Sequence, residues 1–148
     1  VSPPLRTSED IKAIKKGLKD GTIDAIATDH APHLDNEKEL EFDYAPFGMI
    51  GLETALSLSI MKLVDEGILS IEELIQKMAT NPAKIIGINK GILDVGKEAD
   101  ITIFDPEKEW VYEKEKIVSK SKNSPYIGQT LKGKVTNVIS GGKILMKG

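Results

Sequence analysis

Ile23-Asp24-Ala25-Ile26-Ala27-Thr28-Asp29-His30-Ala31-Pro32-His33 is the stretch on which the reading of this chain turns. Its first six residues are mostly apolar, the pattern of a strand buried on both faces of a parallel sheet. The run then breaks into an acid and the only two histidines of the chain. In α/β barrels the catalytic groups project from the C-terminal ends of strands, and the loops that follow build the site. Leu34 to Ile50 follows here, with five acids, Pro46, Gly48 and no clean period. It reads as a long loop, and loops of this length inside a compact domain are usually functional.

Helical periods flank this stretch. Thr7-Ser8-Glu9-Asp10 supplies N-cap candidates and first-turn acids. Ile11, Ile14 and Leu18 follow at helical spacing, and Gly21 is a plausible stop. Gly51 to Glu66 reads as a stronger helix, with Leu52, Ala55, Leu56, Ser59, Ile60, Leu63 and Val64 on one apolar face. Ser70-Ile71-Glu72-Glu73 is a capping box opening a helix with Ile71, Leu74, Ile75 and Met78 inward. Asn81 as N-cap and Pro82 at the first helical position restart a short helix that holds Ile85 and Ile86.

From about Gly91 the texture changes. Leu93 to Gly96 is a turn. Ala99 to Asp105 alternates, and Pro106 ends that run. Trp110-Val111-Tyr112 is another β-rich patch, whose aromatics cover a core rather than stack a ligand. Val135 to Ser140, Gly141-Gly142, and Lys143 to Met146 read as a hairpin with a two-residue turn. The chain therefore divides into an α/β part, residues 1–90, and a part made of strands, residues 91–148. Glu37 to Asp43 reads as a solvated loop face, and Lys114 to Lys122 as mixed charge with no partner implied.

Composition narrows the function. The chain has 148 residues, a prior of one domain, and is long enough to bury a core. Its 20 Lys+Arg and 23 Asp+Glu give a net charge of -3, with no electrostatic footprint for nucleic acid or a membrane surface. There is no Cys, which excludes disulfides, Cys-based zinc fingers and a thiol nucleophile. Apolar runs fall far below the roughly 18 residues of a membrane span, and no leader pattern opens the sequence. A soluble cytoplasmic protein is the expectation.

Chemistry concentrates at Asp29, His30 and His33. A carboxylate at a strand end can ligate a metal or move the proton of a metal-activated water. A nearby His can bind a substrate carboxylate or a leaving group. The plainer alternative stays open on spacing alone: an Asp after a strand often only caps the next element, and a surface His is often idle. Two histidines three apart do not make a metal site, which needs three or four donors.

Ala27 to His33 resembles the hallmark near the end of the barrel in dihydroorotases of the amidohydrolase superfamily. Pro3-Pro4-Leu5-Arg6 resembles a segment upstream of that hallmark. Phe47 to Thr54 resembles the family's Gly-Leu-Glu-Thr loop and helix start, and Asn81-Pro82-Ala83-Lys84 its Asn-Pro-Ala segment. Gly91 to Asp105 and Val138 to Gly142 resemble parts of the superfamily's small β-domain. His-Ala-Pro-His is the form that favours dihydroorotase over hydantoinase or allantoinase.

The resemblance implies a zinc enzyme interconverting N-carbamoyl-aspartate and dihydroorotate in pyrimidine synthesis. It implies that Asp29 ligates zinc and shuttles a proton, and that His33 binds the dihydroorotate carboxylate. Backbone groups near Phe47 and Gly48 would meet the ring, and His30 would act at most from behind the site. Ser2 stands at a substrate-binding position where the family has Asn. The implied fold is α/β: the C-terminal part of a (β/α)8 TIM barrel over residues 1–90, plus the C-terminal strands of a small β-sandwich over 91–148.

The family's His-x-His pair, carboxylated Lys and two further histidines are not in this sequence, and a whole barrel takes about 250 residues. The expectation is the C-terminal piece of a roughly threefold longer enzyme, binding zinc weakly and inactive by itself. Its partners would be the small-molecule substrate, the missing N-terminal part and, in the family's manner, aspartate carbamoyltransferase. A bare barrel strand has two unpaired edges, so self-association is also expected. The competing functions are a non-catalytic scaffold subunit for aspartate carbamoyltransferase and a related cyclic amidase.

Overall fold

Local signals at chain positions 7 to 21 build the first helix. A computed structural model describes residues 1–4 and 7–147, with Lys147 described as backbone only. Leu5 and Arg6, part of the motif quoted above, lie outside the described residues. Helix α1 (Ser8–Asp20) starts at Thr7, whose side chain accepts from the Asp10 N–H while Asp10 returns the bond to the Thr7 N–H, and ends at Gly21 in the left-handed region. The N-cap and the glycine stop fall where the sequence expects them, and the cap is a capping box. Leu18 is buried, whereas Ile11 and Ile14 are exposed, so only the last turn of the apolar stripe meets the core.

The segment after α1 departs from expectation. Ile23 to Thr28 is extended but joins no strand ladder among the described residues. Side chains and one helix edge hold it instead. Ile26 N–H donates to Lys77 O at 2.9 Å, Lys77 Nζ to Ile23 O at 2.6 Å, and Asn81 Nδ2 to Asp24 O at 2.9 Å. A strand needs a neighbour to bond, and among the described residues no strand pairs with it.

The long loop contains one turn of helix, α2 (Asp35–Lys38). Gly51 to Thr54 is a turn, so the next helix begins later than its apolar pattern suggests. It runs as α3 (Ala55–Ser59) and widens into a π-helical turn, Ile60–Val64. Leu52, expected inward, is exposed because it lies in that turn. The Ser70 capping box forms as expected and starts α4 (Ile71–Ile75). Here too the helix widens, over Gln76–Thr80, and continues into α5 (Asn81–Ile85). Asn81 is therefore not a cap in extended conformation; Thr80 and Asn81 are both helical, and the Asn81 side chain is free to reach Asp24. Ile75 is exposed rather than inward, and Ile85 and Ile86 are exposed as well.

The remainder is a three-stranded antiparallel sheet in the order β1-β2-β3. Strand β1 (Ile101–Val111) passes through Pro106 rather than ending there. The register shifts between Asp105 and Glu109, and β1 lies at the sheet edge, where a proline and its bulge are tolerated. Strand β2 (Thr130–Ser140) starts earlier than its alternation suggests. Gly141 and Gly142, with φ of 55° and 75°, make the two-residue turn into β3 (Lys143–Lys147).

Two apolar clusters hold these parts together. Leu18, Ile60, Leu63, Leu69 and Leu74 form one, with Ile23, Ile26 and Phe104 packed against it. Ile50, Tyr112, Ile117 and Leu131 form the other, with Met61, Trp110 and Tyr126 beside them. Each fully buried Leu or Ile contributes about 1.5–3 kcal/mol. Trp110 Nε1 donates to Gly133 O at 3.1 Å and to Ser57 Oγ at 3.2 Å, tying the sheet to α3. Trp110 and Tyr112 meet edge to face at 5.8 Å, the covering role expected of them. The second cluster matters most for function, because Ile50 ends the long loop inside it.

Candidate active site

Asp29 is the one described non-glycine residue with positive φ, at 44°. Asp tolerates this region better than most residues, and such a conformation persists only where its surroundings hold it. The bend turns the extended segment into His30, which forms a parallel bridge with Met49. Ala31 N–H donates to Met49 O at 2.9 Å. Residues 29–33 and 47–51 thus lie side by side as two limbs of one loop system. The Asp29 carboxylate is exposed at its edge and accepts no hydrogen bond from the described residues.

The two histidines have different work. His30 Nδ1 accepts from the Gly51 N–H at 3.1 Å and the Leu52 N–H at 3.3 Å. Its proton therefore sits on Nε2, and the ring pins the turn that leads into α3. His33 Nε2 lies 2.7 Å from Phe47 O; a carbonyl only accepts, so Nε2 carries the proton and donates. Its other nitrogen, Nδ1, is 3.7 Å from Glu37 Oε2. Gly48, at φ 124°, passes so close that a Cβ there would lie 2.6 Å from Ala31 Cβ and 3.1 Å from His33 Nε2. Only glycine permits that approach. His33, Phe47 and Gly48 are therefore brought together, with Phe47 exposed at the rim.

Ser2 is not brought in. It is exposed ahead of α1 and makes no hydrogen bond to the loop system among the described residues. Conversely, residues passed over in the sequence complete the site's frame. Lys38 Nζ donates to Pro46 O at 2.7 Å and Gly48 O at 3.2 Å. The Glu53 carboxylate accepts from the Val118 and Ser119 N–H groups, both at 3.0 Å. Asn123 bonds both limbs (below). Burial pushes the Tyr112 hydroxyl up, and the Glu53 carboxylate adds to it. The 117–123 segment, which looks like idle mixed charge, is packed onto the loop. A sequence signal was available in Glu53 of the Gly-Leu-Glu-Thr run; Asn123 offered none.

Zinc needs three or four protein donors. Among the described residues no three His, Cys, Asp or Glu groups are placed to hold a metal ion. Asp29 offers one carboxylate, so these residues alone do not fit a zinc centre.

An extended segment ending in an exposed Asp, a histidine-anchored loop and helices packed on a β-sheet define a hydrolase-like α/β architecture. The chain belongs to the amidohydrolase family, which residues 2–145 match. Within it the likeness is to dihydroorotases. The chain is 54% identical to the dihydroorotase of Geobacter metallireducens over 99% of this chain and 34% of that protein. It is 56% identical to the dihydroorotase of Endomicrobium trichonymphae over 98% of this chain and 35% of that one. The structure is also similar to the L-hydantoinase (dihydropyrimidinase) from Arthrobacter aurescens, with a TM-score of 0.91 at 32% identity, covering 99% of this chain and 34% of that one. The chain thus spans about a third of the length of the curated relatives it matches. No described helix is long and apolar enough to cross a membrane.

Proposed function

We propose that this chain is the C-terminal part of a zinc-dependent dihydroorotase, which interconverts N-carbamoyl-L-aspartate and dihydroorotate in pyrimidine biosynthesis. Residues 1–90 would close its barrel, and 91–148 would supply the last strands of its small β-sandwich. The observation that carries this reading is the closed His33–Phe47–Gly48 cradle beside an exposed Asp29, within a chain 54% identical to a dihydroorotase over nearly its whole length.

In the proposed reaction a water oxygen bonds to the ring amide carbon and the ring C–N bond breaks. Asp29 takes the proton the water loses and returns it to the leaving nitrogen. His33 would bind the substrate carboxylate from its place beside Phe47 and Gly48. Phe47 and Gly48 backbone groups would flank the ring. Zinc would draw one donor from Asp29 and the others from outside these residues, so the chain alone is inactive. The remaining part of the enzyme is the first partner, aspartate carbamoyltransferase a second, and the cytoplasm the compartment.

A related cyclic amidase is the second reading, favoured by the likeness to a hydantoinase structure; the higher identity to dihydroorotases ranks it lower. A scaffold subunit without catalysis is disfavoured by the presence of Asp29 and His33. The test is to express the chain joined to the upstream two-thirds of its polypeptide and assay dihydroorotate, hydantoin and allantoin. Turnover of dihydroorotate, lost in Asp29→Asn by about 10²-fold or more, supports the proposal. A soluble, zinc-loaded protein that opens only hydantoin or allantoin, or no ring, overturns it.

A further inference from the structure

Asn123 lies ninety residues beyond His33, in the segment that joins the sheet's β1 to β2. Its side-chain Oδ1 accepts the His33 N–H at 3.3 Å. Its Nδ2 donates to Ala31 O at 2.9 Å and reaches Gly48 O at 3.4 Å. Its backbone O accepts from the Ile50 N–H at 3.1 Å. One half-buried amide thus touches both limbs of the loop system, 31–33 on one side and 48–50 on the other.

The segment bearing Asn123 is itself held in place. Glu53 accepts its Val118 and Ser119 N–H groups. Lys122 Nζ donates back to Ile117 O at 2.5 Å and Ser119 O at 2.7 Å. Ile117 and Tyr126, on either side, are packed in the cluster that also buries Ile50. Asn123 is therefore a clamp on a fixed support, and an amide is the side chain that suits it. It needs an acceptor toward His33 and donors toward Ala31 and Gly48, and Asn presents both from one short planar group.

We propose that Asn123 is a positioning residue that sets the spacing between His33 and the Gly48 backbone, and so the site's fit to its substrate; this rests on the proposed dihydroorotase function. Asn123 reaches substrate only through those two neighbours. Losing the clamp misplaces the binding groups while the Asp29 carboxylate, at the far end of the limb, stays where it was. The cost falls on binding more than on chemistry.

The experiment uses the full-length polypeptide that carries this chain. Asn123→Ala is expected to raise KM for dihydroorotate about tenfold and leave kcat within about twofold. Combined with His33→Ala, it adds less than its own separate effect, because one of the two groups it positions is already gone. Asn123→Asp keeps the shape and the acceptor but loses both donors. It is expected to raise KM while the His33 amide stays protected from hydrogen exchange, whereas Asn123→Ala exposes that amide about tenfold more. Lys116→Ala, at an exposed residue whose ammonium pairs with Glu113, serves as the unchanged control.

An unchanged KM in both Asn123 variants, or full additivity with His33→Ala, overturns the proposal. So does an unaltered His33 exchange rate in Asn123→Ala. Should the wild-type protein open no dihydroorotate ring, the functional reading fails by itself, and the exchange rates still decide whether Asn123 is the clamp.

Discussion

The 23–33 segment and the β2–β3 hairpin have much the same apolar, β-favouring texture, yet they end in different states. The hairpin closes its own ladder, because Gly141-Gly142 returns the chain directly alongside itself. The 23–28 segment finds no strand beside it and is held by Lys77, Asn81 and the backbone of a helix. Strand formation is a property of pairs. A sequence can show that a segment is ready to be a strand, but its neighbour decides whether it becomes one. The difference also divides labour. The three strands of the sheet pair with one another, whereas the extended segment is held by side chains and a helix backbone and leads into the proposed site.

Two glycines test that division most severely. In the sheet, Gly133 has φ 88°, and a Cβ there would sit 2.4 Å from Ile60 Cδ1. Gly133→Ala combines backbone strain with overpacking and is expected to cost about 3 kcal/mol in urea unfolding. A cost below about 1 kcal/mol would mean the Ile60 side chain gives way easily and the support is not rigid. In the loop system, Gly48→Ala is expected to cost less overall, about 1–2 kcal/mol. Its main effect should be to part His33 Nε2 from Phe47 O, seen in the ring nitrogen shifts of His33. An unchanged His33 spectrum would show that the limbs are loosely held.

Smaller effects sharpen the contrast. Ser70→Ala removes the side chain that accepts the Glu73 N–H at 3.2 Å and should cost about 1 kcal/mol, read by thermal unfolding. The loss should leave His33 unaffected, since the helix start is far from the limbs in sequence and shares no bond with them.

The last effect belongs to the hairpin and depends on pH. Lys90, and then the Gly141 N–H, hold the Asp100 carboxyl below its ordinary value. A carboxylate with a lower pKa folded than unfolded stabilises above its unfolded pKa and loses that contribution as pH falls through the folded one. The hairpin should therefore loosen on acidification below the usual carboxylate range. Asp100→Asn should flatten that limb of the stability curve. An identical acid limb in the variant would assign it to other carboxylates, such as Glu66, held low by Lys15.

Much of the architecture was legible because its causes are local. The N-cap within Thr7 to Asp10, the Ser70 capping box, the Gly21 stop and the Gly141-Gly142 turn each depend on residues within a few positions of one another. His33, Phe47 and Gly48 stand out in the sequence through resemblance alone, and the close approach at Gly48 is what joins them in space. Pro106 misled, because an edge strand absorbs a proline in a bulge that local pattern does not show. Leu52 misled because an apolar period does not show where the first turn unwinds.

By itself, then, the sequence determined the Gly21 end of α1, the Ser70 start of α4 and the two-residue turn of the hairpin. Those follow from short-range sterics and caps. Tertiary structure alone decided that Ile23 to Thr28 stays outside any ladder, that Ser2 lies apart, and that Glu53 and Asn123 bind a distant segment to the loop. Hydrogen bonds between residues some sixty-five and ninety positions apart leave no local period, because the chain must fold before donor and acceptor meet.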